Sequence, residues 1–403
     1  MASGGVLNFN AFSNDPGNQD VYLHSTLEQI RELANKDVEM QAPVSEYTNY
    51  LVVDTNVLLH YLEVLQQFVE DIERLGFPTV VIIPGVVIVE LDRQKKRDGL
   101  GFFARRGSSW LLEKVGQRRS VKGQAYGETL KSTRNWKISE PGEKEVGSEM
   151  YNDNLILDCC LFFASSGNQS RQTFLCSADN NLCLQSESQG IHAIVPGHRW
   201  SSRDIAVGLY GNYGVDLSEF CRYKESYRNA LDTAENRSSM PLEDDDTMMV
   251  DAVDEDSEWR PEHPLNLLHE AVIDHFTRLL VELVGRKGGP EVRQNPSPEE
   301  EANISRHAPR WRHFSRMSAG ECLEYLNGRK GIKPRNPPAE RFLLLKTRSH
   351  VPYARRGWEW ARRDWEVALG NLKETAVAWD DISIPESLIY LQPHMDAAFA
   401  VSK

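Results

Sequence analysis

The chain of 403 residues is long enough for two domains or three. With 40% apolar and 26% charged residues, and no run near the ~18 apolar residues of a membrane span, it reads as a globular protein without membrane insertion. The net charge of −13 argues against nucleic acid only as a total. Residues 232–262 carry twelve acids and two bases, whereas 93–137 carry thirteen bases and three acids, and 306–363 carry fifteen and four.

The opening MASGGVLNFNAFSNDPGNQD lacks a basic start followed by an apolar run, so it is not expected to be a secretory signal. Its polar, Gly/Asn-rich composition predicts disorder over 1–20. Leu23, Leu27, Ile30 and Ala34 predict an amphipathic helix over 22–38, and Pro43 ends that stretch. Tyr50 to Asp54 reads as a buried parallel strand, followed by a helical pattern through Val57, Leu58, Tyr61, Leu62 and Leu65. A second strand is expected at Thr79–Ile83, then a helix with Val86, Val89 and Glu90, then a helix over 102–117. Residues 118–147 read as a long basic loop, and Asn152 and Asp153 open an apolar helix through Ala164. Thr173–Cys176 and Ile191–Val195 give a third and a fourth strand, and 200–228 one or two helices. Apolar strands alternating with helices predict an α/β fold, a parallel sheet with helices on both faces.

Residues 231–262 have the composition of an acidic, disordered linker. Beyond it the strand pattern stops, and Leu265, Leu268, Val272, Phe276, Leu279, Leu280 and Leu283 form a helical stripe. Further helices are expected around 318–327, 339–346 and 357–380. The expected organisation is an N-terminal tail and helix (1–47), an α/β domain (48–230), the linker (231–262) and an all-α domain (263–403). Cys159, Cys160, Cys176, Cys183, Cys221 and Cys322 form no CxxC pair or zinc-spaced cluster and read as buried free thiols.

In an open parallel sheet, ligands bind beyond the carboxyl ends of the strands. Asp54 ends the first strand there, and Asp179 follows the third. Asp153 stands at a helix start, and Glu90 faces as Val86 and Val89 do. Each acid alone reads as a cap, a turn former or a solvated residue. Together they form a candidate catalytic and metal-binding set whose mutual repulsion calls for protons or cations. Hard oxygen ligands suit Mg²⁺ or Mn²⁺, and one metal or two would serve phosphodiester cleavage. Asn56 and Ser177 are candidates for orienting the carboxylates, and Asn154 for lying near the metal. Asp92 and Asp158 face elsewhere.

Leu51-Val52-Val53-Asp54-Thr55-Asn56, Ile83-Pro84 leading to Val89-Glu90-Leu91-Asp92, Asn152-Asp153-Asn154-Leu155-Ile156-Leu157 and Ser177-Ala178-Asp179 resemble, in order and spacing, the motifs of PIN-domain nucleases. The resemblance covers roughly residues 48–200. It implies a PIN-like, Rossmann-like fold, divalent-metal catalysis and cleavage of single-stranded RNA by Asp54, Glu90, Asp153 and Asp179. Asn154 departs from relatives with a second Asp there. Asp153 to Cys160, with the central PIN segment, acidic linker and helical C-terminal half, is similar to the eukaryotic branch that includes nuclear mRNA-surveillance endonucleases. That implies mRNA as substrate, mRNA-export or nuclear-pore proteins as partners, and a location in the nucleus, at its periphery, and in the cytoplasm. The C-terminal domain resembles the HEPN helical fold but shows no copy of its Arg/His nuclease motif, so it reads as a non-catalytic RNA or partner module.

Arg93, Lys95, Lys96, Arg97, Arg105 and Arg106 follow Glu90 and are candidates for phosphate contact, as are Arg118 and Arg119. Lys122, Lys131 and Arg134 add charge, and Trp110 or Trp136 is a candidate for stacking. In the C-terminal half, Arg306 to Arg316 and Arg355 to Trp365 interleave bases with aromatics. Trp358 and Trp365, seven apart, are expected to pack into the bundle, and a basic outer face and base stacking both remain open. The linker is a candidate autoinhibitory strip over these surfaces. Two readings compete with the ribonuclease: a catalytically inactive PIN scaffold binding RNA or surveillance partners, and a DNA structure-specific nuclease.

Overall fold

The computed structural model describes residues 26–36, 48–130, 148–165, 172–197, 200–222, 226–228, 230–232, 262–293, 311–345 and 354–402. The expected tail over 1–20, the acidic linker between 233 and 261, Lys131, Arg134 and Trp136, and Arg306 and Arg310 lie outside them. The chain divides into two compact units, Met1–Ser226 and Tyr227–Lys403.

In the first unit, α1 (Thr26–Asn35) precedes β1 (Asn49–Val53), α2 (Thr55–His60), α3 (Leu62–Leu75), β2 (Thr79–Ile83), α4 (Gly85–Gln94), α5 (Gly101–Gln117) and β3 (Val121–Gly123). Then follow α6 (Ser148–Ser165), β4 (Thr173–Cys176), α7 (Asn180–Ser188), β5 (His192–Ile194) and α8 (Ser202–Tyr210). The five strands are all parallel, in the order β3-β2-β1-β4-β5. Continuous runs such as Thr79-Val80-Val81-Ile82-Ile83 are buried at every position, as expected for strands covered on both faces. The helices α1, α4 and α5 pack on one another, α3 packs on α8, and α6 packs on β1, β4 and α7. Gln124, fully buried, accepts from Gly85 N at 3.0 Å and so caps the start of α4.

Two expectations are corrected. Val121–Gly123, within the expected basic loop, is a strand, because it pairs with Val81–Ile83 of β2. Helix α6 begins at Ser148, so Asp153 lies inside the helix and not at its start. Ser148, Glu149, Met150 and Tyr151 are too few to show an apolar rhythm that would announce that first turn.

The second unit has no strand among its described residues and is built from α9 (Pro264–Lys287), α10 (Pro290–Arg293), α11 (Ala319–Lys330), α12 (Ala339–Phe342), α13 (Arg362–Ala378) and α14 (Ser383–Val401), with single 3₁₀ turns at Phe314–Arg316 and Gly357–Glu359. The stripe from Leu265 to Leu283 is buried along α9, against which α11 and α14 pack. Helix α11 starts on a reciprocal cap between Ser318 and Glu321 and ends at Gly331, whose φ of +65° suits glycine. No helix among the described residues is long and apolar enough to cross a membrane.

Candidate active site

The strand order reverses direction between β1 and β4, which opens a crevice at their carboxyl ends. The ladder runs to its last rung there, with Asp54 N donating to Cys176 O at 3.0 Å. Asp54 caps α2, its Oδ1 accepting from Thr55 N at 2.6 Å. Its Oδ2 accepts from Ser177 Oγ at 2.7 Å and Asn56 Nδ2 at 3.2 Å. Ser177 Oγ in turn accepts from Asp179 N at 2.9 Å, so one hydroxyl ties the two loops together. Asp179 caps α7 through Oδ1, leaving Oδ2 without a hydrogen-bond donor among the described residues.

Glu90 reaches the same crevice from α4. Thr55 Oγ1 donates to its Oε2 and Asn152 Nδ2 to its Oε1, both at 2.5 Å. These donors join α2, α4 and α6 at one carboxylate. Neither is among the orienting groups expected from the sequence, although Thr55 lies between Asp54 and Asn56 and Asn152 directly precedes Asp153. Asp153 is half-buried beside Asn152, and Asn154 is exposed. Asp158 points elsewhere and accepts from Thr129 Oγ1 and Leu130 N, holding that segment against α6. Asp92 pairs with Lys95 at 2.9 Å.

Asp54 is only 5% exposed. Burial raises its pKa above the usual carboxylate value, opposed by the bonds from Ser177 and Thr55 and reinforced by the charges of Glu90 and Asp179. Asp54 thus lies in the field of both Glu90 and Asp179. Among the described residues, no group of three or more Asp, Glu, His or Cys side chains stands ready to hold a metal ion. The donors nevertheless suit a hard cation in kind: they are carboxylate oxygens, and Asp54, with three bonds accepted, retains lone-pair capacity. All six cysteines are free, and burial pushes the thiols of Cys159, Cys160 and Cys176 further from ionisation, so they do not compete as thiolate ligands.

The basic residues divide. Arg93, Lys96, Arg97 and Arg119 are exposed, while Lys95, Arg105 and Arg118 are half-buried. Arg106 is corrected: it is 2% exposed and donates to Glu63 at 2.5 Å and Gln66 at 3.2 Å, a buried tie between α5 and α3 that cannot reach a phosphate. Arg118 donates to Leu33 O at 3.4 Å, and Lys122 is paired with Glu128. Trp110 is buried in the core.

The family comparison meets this geometry on the same residues: 51–195, from β1 to the end of β5, match the model of the PIN domain. This segment is a PIN domain. Similar proteins include "Transcriptional protein swt1" of Schizosaccharomyces pombe, 27% identical over 164 residues, which is 40% of this chain and 31% of that protein. "Transcriptional protein SWT1" of Saccharomyces cerevisiae is 28% identical over 194 residues, 44% of this chain and 38% of that one. The match thus spans about a third of each yeast relative. A solved domain of a functionally unknown protein from Methanocaldococcus jannaschii is 22% identical, covering 37% of this chain and 91% of its own, with a TM-score of 0.24, too low to carry an argument. PIN domains are typically metal-dependent nucleases, and the match supports a nuclease-type function.

Proposed function

We propose that the protein is a divalent-metal-dependent endoribonuclease that cleaves single-stranded RNA in the crevice between β1 and β4. The observation that carries this reading is the meeting of Asp54, Glu90 and Asp179 at the carboxyl ends of the strands of a PIN domain, with Asp153 beside the Asn152 that holds Glu90. These four carboxylates would hold Mg²⁺ or Mn²⁺, which when bound supplies an activated water and neutralises charge on the phosphodiester. Ser177 and Asn56 fix the Asp54 carboxylate, and Thr55 and Asn152 fix that of Glu90. Exposed Arg93, Lys96, Arg97 and Arg119 offer phosphate contacts outside the crevice, with Lys95 and Arg105 as half-buried candidates.

The likeness to yeast proteins named as transcriptional is compatible with work in the nucleus, and within this reading the RNA is mRNA, the role quality control, and the partners export or nuclear-pore proteins. In this reading 48–230 is the nuclease domain, 263–403 a helical module, and the acidic linker between them restrains RNA binding. A second reading, a PIN scaffold that binds RNA or surveillance partners without cutting, draws on the absence of a ready metal cage among the described residues.

The test is a circular single-stranded RNA incubated with Mn²⁺ or Mg²⁺, comparing the wild type, the Asp54→Asn/Asp153→Asn variant and an EDTA control. Linear product from the wild type alone, lost with chelator, is expected. Intact circles under either metal, from protein that still binds RNA, overturn the enzyme in favour of the scaffold. Cutting confined to a parallel DNA flap substrate gives the site to DNA.

A further inference from the structure

The nine residues from Arg355 to Arg363 hold four arginines, two tryptophans and one acid, Glu359. The structure separates the aromatics of this neighbourhood. Trp365 is fully buried and Trp360 is 5% exposed; both contact Phe342 edge-on. Trp358, expected to pack into the bundle, stays 50% exposed, the one exposed tryptophan among the described residues. It sits in the 3₁₀ turn Gly357–Glu359, where successive residues point about 120° apart.

That turn is held firmly. A Cβ on Gly357 would lie 2.0 Å from the Leu265 carbonyl oxygen, so only glycine allows the turn so close to α9. Gly357 O accepts from Trp365 Nε1 at 3.2 Å, and Trp358 N donates to Asn266 Oδ1 at 3.3 Å. The backbone beneath the Trp358 ring is therefore fixed from both sides, and the ring is presented without needing to be ordered by a ligand.

Its charged neighbours are mostly cationic. Arg362 is paired with Glu366 and Asp396. Arg355, Arg356 and Arg363 are exposed and make no ion pair among the described residues. Glu359 spends Oε2 on the backbone N–H of Arg356 at 2.7 Å, and Asp364 spends Oδ2 on that of Ala361. Arg355 lies over the Trp360 ring, with its guanidinium 4.9 Å from the ring centroid. A fixed, half-open indole among three unpaired arginines suits a base with its flanking phosphates: the ring takes the base's face, the guanidiniums take the backbone. A duplex hides its base faces, so the chemistry selects unpaired nucleic acid.

We propose that residues 355–363 of the helical unit form a binding site for single-stranded RNA, with Trp358 as the stacking face and Arg355, Arg356 and Arg363 as phosphate contacts. The site needs no metal and stands apart from any cleavage by the PIN domain.

The test uses the full chain in EDTA and a labelled oligouridylate, with fluorescence anisotropy as readout. Trp358→Ala is expected to weaken binding about tenfold, the equivalent of one stacked base, and Trp358→Phe to keep most of the affinity. Arg355→Gln/Arg363→Gln should lower the slope of log affinity against log salt by about 1.4. Crosslinks from a 4-thiouridine probe should map to the 355–363 peptide. The indole's removal leaves the backbone bond to Asn266 in place, and thermal melting of each variant checks the fold; the arginine variant and the crosslinks decide if Trp358→Ala fails to fold. Unchanged affinity in Trp358→Ala, or crosslinks that avoid this peptide, overturns the proposal. So does Trp358-dependent binding of an acidic peptide with none of RNA.

Discussion

Asp54 is almost entirely removed from water, accepts three hydrogen bonds and lies in the field of two further carboxylates. With its pKa raised in the folded state, the ionised form is held at a cost in stability. That cost is absent below the carboxyl's unfolded pKa and grows as pH rises through the folded value. Asp54→Asn keeps the shape and removes the charge. In EDTA at pH 7 its thermal midpoint is expected at or above that of the wild type, with the gap closing towards pH 4, while RNA cleavage in Mn²⁺ disappears. A lower midpoint at neutral pH would show that the carboxylate is held by its donors more strongly than burial penalises it. Asp54 was legible because an acid at the end of an apolar run is conspicuous. The fate of Arg106 was not, because its partner Glu63 lies 43 residues back and nothing local distinguishes a buried arginine from an exposed one.

Helices α2, α4 and α6 meet at Glu90 through Thr55 and Asn152. Hydrogen bonds to a charged group contribute about 1.5–3 kcal/mol each, and these two also select one orientation of the carboxylate. Asn152→Ala is expected to reduce single-turnover cleavage about tenfold and to weaken Mn²⁺ binding by calorimetry, with a much smaller change in melting. Equal losses in all three readouts would mean that Asn152 merely holds α6 in place. At this scale the strands at 49–53, 79–83 and 173–176 are readable as short, largely apolar runs between helical patterns. β3 was not readable, being three residues with a lysine and a glycine, defined by its partner strand. Helix α14 was missed because Pro385 and Pro393 argue locally against a helix that runs from Ser383 to Val401 and keeps Pro393 inside it.

Acid acts on the two units in opposite senses. In the PIN domain, protonation relieves the buried Asp54. In the helical unit, burial depresses both His269 and His394 to about 4, the Arg228 charge adding to the effect on His394. A histidine whose folded pKa lies below its unfolded 6.5 lends stability that is present above pH 6.5 and lost as pH falls towards 4. Each shift of this size corresponds to about 3 kcal/mol by pH 4. His269 bonds to Phe342 O at 2.7 Å, so His269→Gln preserves a donor while removing the titration. Denaturant unfolding of the full chain between pH 7 and 4.5 should show the wild type losing stability more steeply than this variant. Parallel curves would place the acid sensitivity elsewhere.

The strands carry one further consequence for how the chain is indexed. β1 is apolar on both faces, so a slip of one residue against β2 or β4 would exchange one set of valines and leucines for another at little hydrophobic cost. What distinguishes the native alignment is polar punctuation at the two ends. Asn49 and Thr79 meet the Tyr210 hydroxyl at one end, and Asp54 meets Ser177 at the other. A one-codon deletion within 50–53 cannot satisfy both ends at once. The chemistry of the crevice is thus also a ruler: the residues that would hold the metal measure the strand that carries them, and an error in reading frame length is detected at the very place where it would matter.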